Sequence, residues 1–444
     1  MSRSPRQIHL AAHFPGVNST TVWTDPASGS QIDFAAFEYF ARTAERGFFD
    51  YVFLAEGLRL REHKGRVHEL DVLGRPNTLA VLAALSAVTD HVGLVGTLST
   101  TFNEPYELAR QLATLDHLSA GRAGWNAVTS SDAFHGANFR RGGFLAHADR
   151  YERAKEFAAL SKKLWDSWDE GEALPRRIRH SGAQFDVDAL FDVPRSPQGR
   201  PVIVQAGDSA DGRDFGAEHA EVIFSLHQDF DAARVLYDDV KGRLAAWGRD
   251  EDSLKILPAA TFVIGDTDAE ARERSREIAR QQVRPEQALT YLEQVWGRDL
   301  SGYDPDGPLP DVEPDTGSET ARGWANRHKA VQARIASLRE LSEAEGLSVR
   351  ELVIRLTAKH TFVGTPEHIA SEIDRYVQER ATDGFTVVGH LTPHGLDEFA
   401  TRVVPLLQER GSYRDSYDEG ATLRDLLGLP APARTLTPDA AAAR

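Results

Sequence analysis

Residues 92–130 read VGLVGTLSTTFNEPYELARQLATLDHLSAGRAGWNAVTS, and their pattern decides the fold. Val92 to Leu98 is a short run of apolar and small residues, the composition of a strand buried on both faces. Pro105 stands where a first helical turn tolerates a missing N–H, and Tyr106, Ala109, Leu112 and Ala113 recur at helical spacing behind it. Ser119-Ala-Gly121 ends that helix. Arg122 to Val128 returns as a strand carrying Gly124, Trp125 and Asn126 and finishing in Thr129-Ser130. Polar side chains gathered where consecutive buried strands end are what an α/β barrel uses to build a site.

The same unit repeats outward from this stretch. Gln7–Ala12 predicts a first strand, followed by a loop holding His13, Phe14 and Trp23. Asp33 is placed to cap a helix that Gly47 stops. Tyr51–Ala55 predicts a second strand ending at Glu56, then a polar loop with His63 and His68 and a helix over 77–89. After Val128 come a long loop, a helix from about Ala148 to Trp168 and a small hairpin within 170–200. PVIVQAG (201–207), EVIFSL (221–226), LKILPAATFVIG (254–265, interrupted by Pro258) and GFTVVGH (384–390) supply strands five to eight, with a last helix over 396–410. Eight strand–helix repeats predict a (β/α)8 TIM barrel with right-handed crossovers.

The barrel domain is expected to span residues 1–429, with one insertion at about 283–360. The centre of that insertion, SGYDPDGPLPDVEPDTGS (301–318), is rich in Pro, Gly and Asp and reads as a mobile lid over 301–320. A helix from about Trp324 to Glu345 follows, where Arg322, Arg327, His328 and Lys329 offer either charge to an acidic substrate or a solvated face. Beyond Gly411 the chain reads as an arm packed on the barrel or on another subunit, and residues 430–444 as a frayed tail.

STTFNEPY (99–106), LDHLSAGRAGWNAVTS (115–130) and QAGDS (205–209) resemble the bacterial-luciferase-like flavin monooxygenases. Within them the chain is most similar to the two-component, FMN-dependent group that includes nitrilotriacetate and dibenzothiophene-sulfone monooxygenases. The likeness runs from about Ile8 to about Leu429, and the run LDH-x-S-x-GRAGWN-x-VTS is long enough to be specific. The resemblance implies a luciferase-like barrel that takes reduced FMN (FMNH2) from a separate NAD(P)H:flavin reductase. With O2 it oxidises a small organic substrate, by a reaction class that includes C–N and C–S cleavage. No G-x-G-x-x-G follows any strand, so no nicotinamide site of the chain's own is evident.

Flavin needs an anion site for its phosphate, polar contacts to ring and ribityl chain, and apolar walls. Gly207-Asp-Ser209, a tight turn after a buried strand that opens a helix, turns several N–H groups outward. Its alternative reading is a plain helix cap at Ser209 or Asp208, and Asp208 and Asp211 fit a phosphate only if they face away. Ser209 matches a flavin-phosphate residue of the family. His147 and Tyr151 lie one helical turn apart and match the family pattern H-x-x-R-Y, which assigns them to FMN; packing at a helix start is the alternative. Glu56, Thr97 and Asn126 stand at or near strand ends. The family usually has Asp at the position of Glu56, and Thr97 reads equally well as an ordinary β-branched strand residue. No catalytic base can be chosen from these residues.

Composition sets the remaining bounds. In 444 residues, 41% are hydrophobic and 27% charged, as in an ordinary soluble globular protein. A formal charge of −16 disfavours nucleic acid and anionic membranes as partners, while leaving room for a local basic pocket. The absence of cysteine removes disulfides, thiolate metal sites and a Cys nucleophile together. Sixteen histidines include no His-x-His pair, so no metal is expected, and His13 reads as a substrate-side polar group. Neither a signal-peptide core nor a run of about 18 apolar residues is present, which predicts a cytoplasmic protein. A homo-oligomer, dimer or tetramer, is expected. Two other functions fit the pattern: a deazaflavin-dependent oxidoreductase on the same barrel, and a flavin-binding subunit without activity.

Overall fold

The computed structural model describes residues 5–14, 20–58, 62–67, 75–130, 138–139, 147–169, 172–315 and 328–434, with backbone only at 62–63, 66–67, 147–148 and 328–331. Eight parallel strands form the barrel: β1 (His9–His13), β2 (Tyr51–Leu54), β3 (Gly93–Ser99), β4 (Ala123–Val128), β5 (Val202–Gln205), β6 (Val222–Ser225), β7 (Lys255–Ile264) and β8 (Gly384–Val388). They pair in the order β6–β5–β4–β3–β2–β1–β8–β7, and β6 pairs with β7 to close the ring. This is the (β/α)8 barrel the sequence predicts. Pro258 does not interrupt β7, which runs unbroken through ten buried residues with Pro258 opposite Ser225. A short strand, Phe362–Gly364, extends β7 beyond the ring.

Seven helices follow the first seven strands: α1 (Phe34–Arg46), α2 (Thr78–Ser86), α3 (Pro105–Leu118), α4 (His147–Trp165), α5 (Ala210–His219), α6 (Phe230–Leu244) and α7 (Asp268–Gln282). Asp33 occupies the cap position of α1, but its side chain accepts no hydrogen bond there. The helices press on the strands closely. A Cβ at Gly96 of β3 would fall 2.5 Å from the Thr78 side chain of α2, so the strand needs glycine at that crossing.

The amino-terminal end of the barrel is closed by the C-terminal arm. Leu423 and Leu427, in the short C-terminal helix Leu423–Leu426 and just after it, fill the ring beneath Tyr51, Val95, Val202 and Val222. The arm therefore belongs to this chain's own core, the first of the two placements open to it in the sequence. Residues 430–434 continue along the surface, with Ala433 O accepting from Arg200 Nη1 at 3.1 Å and Arg434 paired with Asp169. The frayed tail can only begin after them, and 435–444 lie outside the described residues.

Three carboxylates organise this same end. Asp50, Glu221 and Asp383 each precede a strand and accept the backbone N–H of the neighbouring one, from Leu10, Ile203 and Ile256 at 2.7, 2.8 and 2.9 Å. Each is buried with a cation: Arg414 on Asp50, Arg424 on Glu221, Arg6 and Lys241 on Asp383.

Between α7 and Phe362 the insertion builds its own helical core. Its helices α8 (Pro285–Trp296), α9 (His328–Glu345) and α10 (Val349–Thr357) meet through Leu292, Trp296, Leu338 and Leu352. Within the lid proposed from composition, the described part 301–315 is tied down: Val349 N donates to Gly307 O at 2.9 Å, Arg350 N to Pro305 O at 2.8 Å and Trp296 Nε1 to Val312 O at 3.1 Å. Here Pro, Gly and Asp make turns around a helical core. Residues 316–327, including Arg322 and Arg327, lie outside the described residues, as do the side chains of His328 and Lys329. The insertion stands on the carboxyl-terminal side of the barrel, for Gln282 Nε2 donates to Thr20 O in the loop after β1, and Lys64 in the hairpin after β2 reaches Glu293 and Asp299, both at 2.6 Å. Among the described residues no helix is long and apolar enough to cross a membrane.

Candidate active site

The mouth of the barrel gathers the polar strand ends. Register places Thr97 of β3 beside Asn126 of β4, and Asn126 Nδ2 donates to Thr97 Oγ1 at 2.9 Å. Both are buried, and Asn126 Oδ1 has no hydrogen-bond partner among the described residues. Gln205 Oε1 at the end of β5 and Ser225 Oγ at the end of β6 share that condition, but they alternate with Val204 and Phe224, which face into the ring, and a Cβ at Gly216 of α5 would fall 3.3 Å from Gln205 Oε1, so these two face the helices. The shelf STTFN, between β3 and α3, mostly serves itself: Thr101 Oγ1 donates to Thr129 O at 2.7 Å, and Ser130 Oγ to Ser99 Oγ at 2.7 Å.

Above β5 three sequence candidates converge. Ser209 caps α5 by accepting from Gly212 N at 3.1 Å, as its plain reading predicts. Its hydroxyl also lies 3.4 Å from Tyr151 Oη. That phenol sits so close to the turn that a Cβ added at Gly207 or at Gly212 would fall 2.9 Å from its oxygen. Gly207, Ser209, Gly212 and Tyr151 thus form one cradle at a helix N-terminus. Asp208 is turned toward His227, 3.9 Å away. In the first turns of α4, Arg150 donates to Ser130 O at 3.2 Å and Arg153 to Thr100 O and Asn103 O, both at 3.0 Å, which fixes the helix carrying Tyr151. His147 begins α4, but its side chain lies outside the described residues.

Glu56 lies apart from this group, just past β2. Burial pushes its carboxyl up to about 7, against the opposing charge of Arg75. His13, at the end of β1, is held down to about 4 by burial and by the same arginine. On this side the side-chain atoms without a partner include nitrogens: His13 Nδ1 (with the Phe14 backbone beside its ring), Trp23 Nε1 and His390 Nδ1. His9, by contrast, sits at the opposite end of β1, on Asp50 at 3.1 Å. Sequence reasoning missed Arg75 and His390. Position just past a strand end was the available signal for His390; Arg75, alone in a polar loop, carried none. Among the described residues no group of three or more His, Asp or Glu is placed to hold a metal ion.

A parallel barrel with buried polar strand ends at its carboxyl-terminal mouth has the architecture of a barrel enzyme. Residues 14–383 match the luciferase-like monooxygenase family, and the chain belongs to it. It is 38% identical to N-acetyl-S-(2-succino)cysteine monooxygenase of Bacillus subtilis (strain 168), across 97% of this chain and 99% of that one. It is 39% identical to nitrilotriacetate monooxygenase component A of Aminobacter aminovorans, across 89% and 90%. Among solved structures, riboflavin lyase with modified FMN and riboflavin is similar at a TM-score of 0.78 and 31% identity, covering 96% of this chain and 97% of that one. The protein is a flavin-dependent monooxygenase.

Proposed function

We propose that this chain is the oxygenase of a two-component system, which accepts reduced FMN from a separate NAD(P)H:flavin reductase and uses O2 to oxidise a small organic substrate. The observation that carries the reading is the pairing of one cradle with one buried acceptor at the mouth. Gly207, Ser209, Gly212 and Tyr151 suit a phosphate, with backbone N–H groups and two hydroxyls at a helix N-terminus. Asn126 Oδ1, buried and without a partner among the described residues, suits an N–H group of a reduced flavin edge. The residues present therefore fit FMN, with His147, Glu56 and Thr97 completing the set proposed from sequence.

Bound FMNH2 supplies the two electrons by which O2 is split, one oxygen atom going to the substrate and the other to water. The chain's own residues do the rest. Thr97 fixes the Asn126 amide so that its carbonyl faces the mouth. Tyr151 and Ser209 hold the phosphate end. Phe53 and Phe224, with ring centroids 5.6 Å apart, supply apolar surface at the mouth ends of β2 and β6 that keeps water from the reacting atoms. The relatives support this reading: one is component A of its monooxygenase, and the compounds they are named for carry the nitrogen or sulfur beside which oxidation would lead to C–N or C–S cleavage. A homo-oligomer in the cytoplasm belongs to the same proposal. Helix α2, TLAVLAALS, is apolar almost throughout yet leaves Ala80 and Ala84 exposed, as a helix destined for an interface would.

The test supplies photoreduced FMN anaerobically and then admits O2 with aminopolycarboxylates, sulfones, alkanes and modified thiols in turn. The reading expects an oxygenated product from at least one class, with isotope from 18O2. Failure to bind FMN, or turnover only with a deazaflavin, would overturn it.

A further inference from the structure

We propose that His227 is a positioning residue for the flavin phosphate: just past the mouth end of β6, it draws the Asp208 carboxylate away from the helix N-terminus that the phosphate occupies. This rests on the reading of Gly207, Ser209, Gly212 and Tyr151 as the phosphate cradle.

The cradle carries its own competitor. Asp208 directly precedes Ser209, the cap of α5, and Asp211 stands in the first turn of that helix. Backbone N–H groups and the positive end of a helix attract a carboxylate as they attract a phosphate. A carboxylate tethered one residue before the cap can fold over the turn ahead of any ligand, and a phosphate dianion arriving beside it is repelled. The cation in the first turns of α5 does not relieve this, because Arg213 is directed to Asp239 of α6, at 2.7 Å. Asp214, on the same helix, is paired with Arg243 of α6.

His227 offers Asp208 another partner. It follows β6 by two residues, and β6 pairs with β5, so the imidazole and the turn after β5 share one edge of the mouth. Its Nε2 lies 3.9 Å from Asp208 Oδ2, within ion-pair distance. The two side chains are 41% and 40% exposed, so the contact forms without burying a charge. A pair this exposed adds little to folding stability. Its consequence is local: with Asp208 held on the β6 side, the turn at Gly207 and the hydroxyls of Ser209 and Tyr151 stay open to an anion.

Oxidised FMN and riboflavin, which differ by the phosphate alone, make matched probes in a fluorescence titration of flavin-free protein at low salt. His227→Gln should weaken FMN threefold or more and leave riboflavin within about twofold. Asp208→Asn should tighten FMN or leave it unchanged, and in the Asp208→Asn background His227→Gln should change FMN affinity by less than about twofold. His227→Lys restores a cation and should bind FMN nearly as the parent does; it also serves if His227→Gln does not fold, since the Asp208→Asn protein must then be indifferent to it as well. Parental FMN affinity in His227→Gln would overturn the inference, as would an equal loss for riboflavin. A loss that persists in the Asp208→Asn background would overturn it too, because His227 would then touch the phosphate itself. If the parent protein binds FMN no tighter than riboflavin, the cradle reading fails and this inference falls with it; if the parent prefers FMN and the His227 variants are silent, the cradle stands and the inference alone is lost.

Discussion

Asn126 Nδ2 donates to Thr97 Oγ1 at 2.9 Å, and this bond fixes which end of the amide faces the mouth of the barrel. The pair crosses from β4 to β3 in register, and neither side chain is exposed to solvent. Thr97→Val keeps the shape and removes the acceptor, which strands a buried donor at a cost of about 1–3 kcal/mol. Thr97→Val should therefore unfold at lower urea and bind FMN several-fold more weakly, while Thr97→Ser restores both. If Thr97→Val binds FMN as the parent does, Asn126 is not oriented by this bond and its place in the flavin site is lost.

Ser209 permits a sharper separation of structure from function. Its hydroxyl caps α5 by accepting from Gly212 N, and an aspartate can make the same cap with a favourable charge at the helix start. Ser209→Asp should leave thermal stability unchanged or raised. If the turn cradles the flavin phosphate, it should also cut FMN affinity about tenfold or more, from repulsion and the loss of a contact worth about 1.5–3 kcal/mol. Ser209→Asn, a neutral cap, should fall between the two. Unchanged affinity in a folded Ser209→Asp protein removes the phosphate from this turn.

The eight strands were legible because parallel strands covered on both faces are written as continuous apolar runs, and their ends mark where the mouth must lie. Thr97, Asn126 and Glu56 could be placed in the mouth from that rule alone. Arg75 could not, since its position depends on the chain folding back over Gly57, twenty residues or so of loop away. The long motif around 115–130 misleads in one respect. Its most polar residues serve the opposite end: Asp116 Oδ1 accepts from Ala123 N at 2.9 Å, and the Arg122 guanidinium donates to Thr89 O, Val92 O and Ser119 O at 2.7, 2.8 and 2.8 Å. They shape the turn into β4, whereas Asn126 lies at the mouth end of the strand, bonded to Thr97. In the insertion, the loop-forming residues of 301–315 make turns that pack on a helical core built by sequence far from them.

The source of electrons gives a third prediction. No glycine-rich dinucleotide turn follows any of the eight strands, and the one helix-start cradle above β5 is taken by the flavin reading. Pure protein with FMN, NADH and O2 should form no product above background, and adding any competent flavin reductase should start the reaction. Sustained NADH oxidation coupled to product by the chain alone would reveal a nicotinamide site where none is expected.

The last prediction concerns the end of the barrel away from the mouth. Glu221 is buried; Arg424 Nη2 lies 3.0 Å and Arg200 Nη2 3.9 Å from its Oε1, while Ile203 N donates to Oε2 at 2.8 Å. Burial alone would raise its carboxyl, but the two arginines and the backbone bond overcome it and hold it at about 2, against 4.5 ordinarily. A carboxyl depressed in the folded state contributes stability that is complete above the unfolded value and is lost as pH falls from 4.5 toward 2, in all roughly 3 kcal/mol. Arg424 comes from the short C-terminal helix Leu423–Leu426, so this one pair also fastens the C-terminal plug to the start of β6. Arg424→Leu should lower stability at neutral pH by about 3–5 kcal/mol, because it leaves a buried charge short of a partner. It should also flatten the acid limb below pH 4.5, since the carboxyl is then no longer strongly depressed. Adding Glu221→Gln to Arg424→Leu removes the stranded charge and should recover part of the loss. Urea unfolding at neutral pH and again at pH 4 measures all three proteins. An Arg424→Leu protein that unfolds at the parent's urea concentration would show that the plug is held by Leu423 and Leu427 alone.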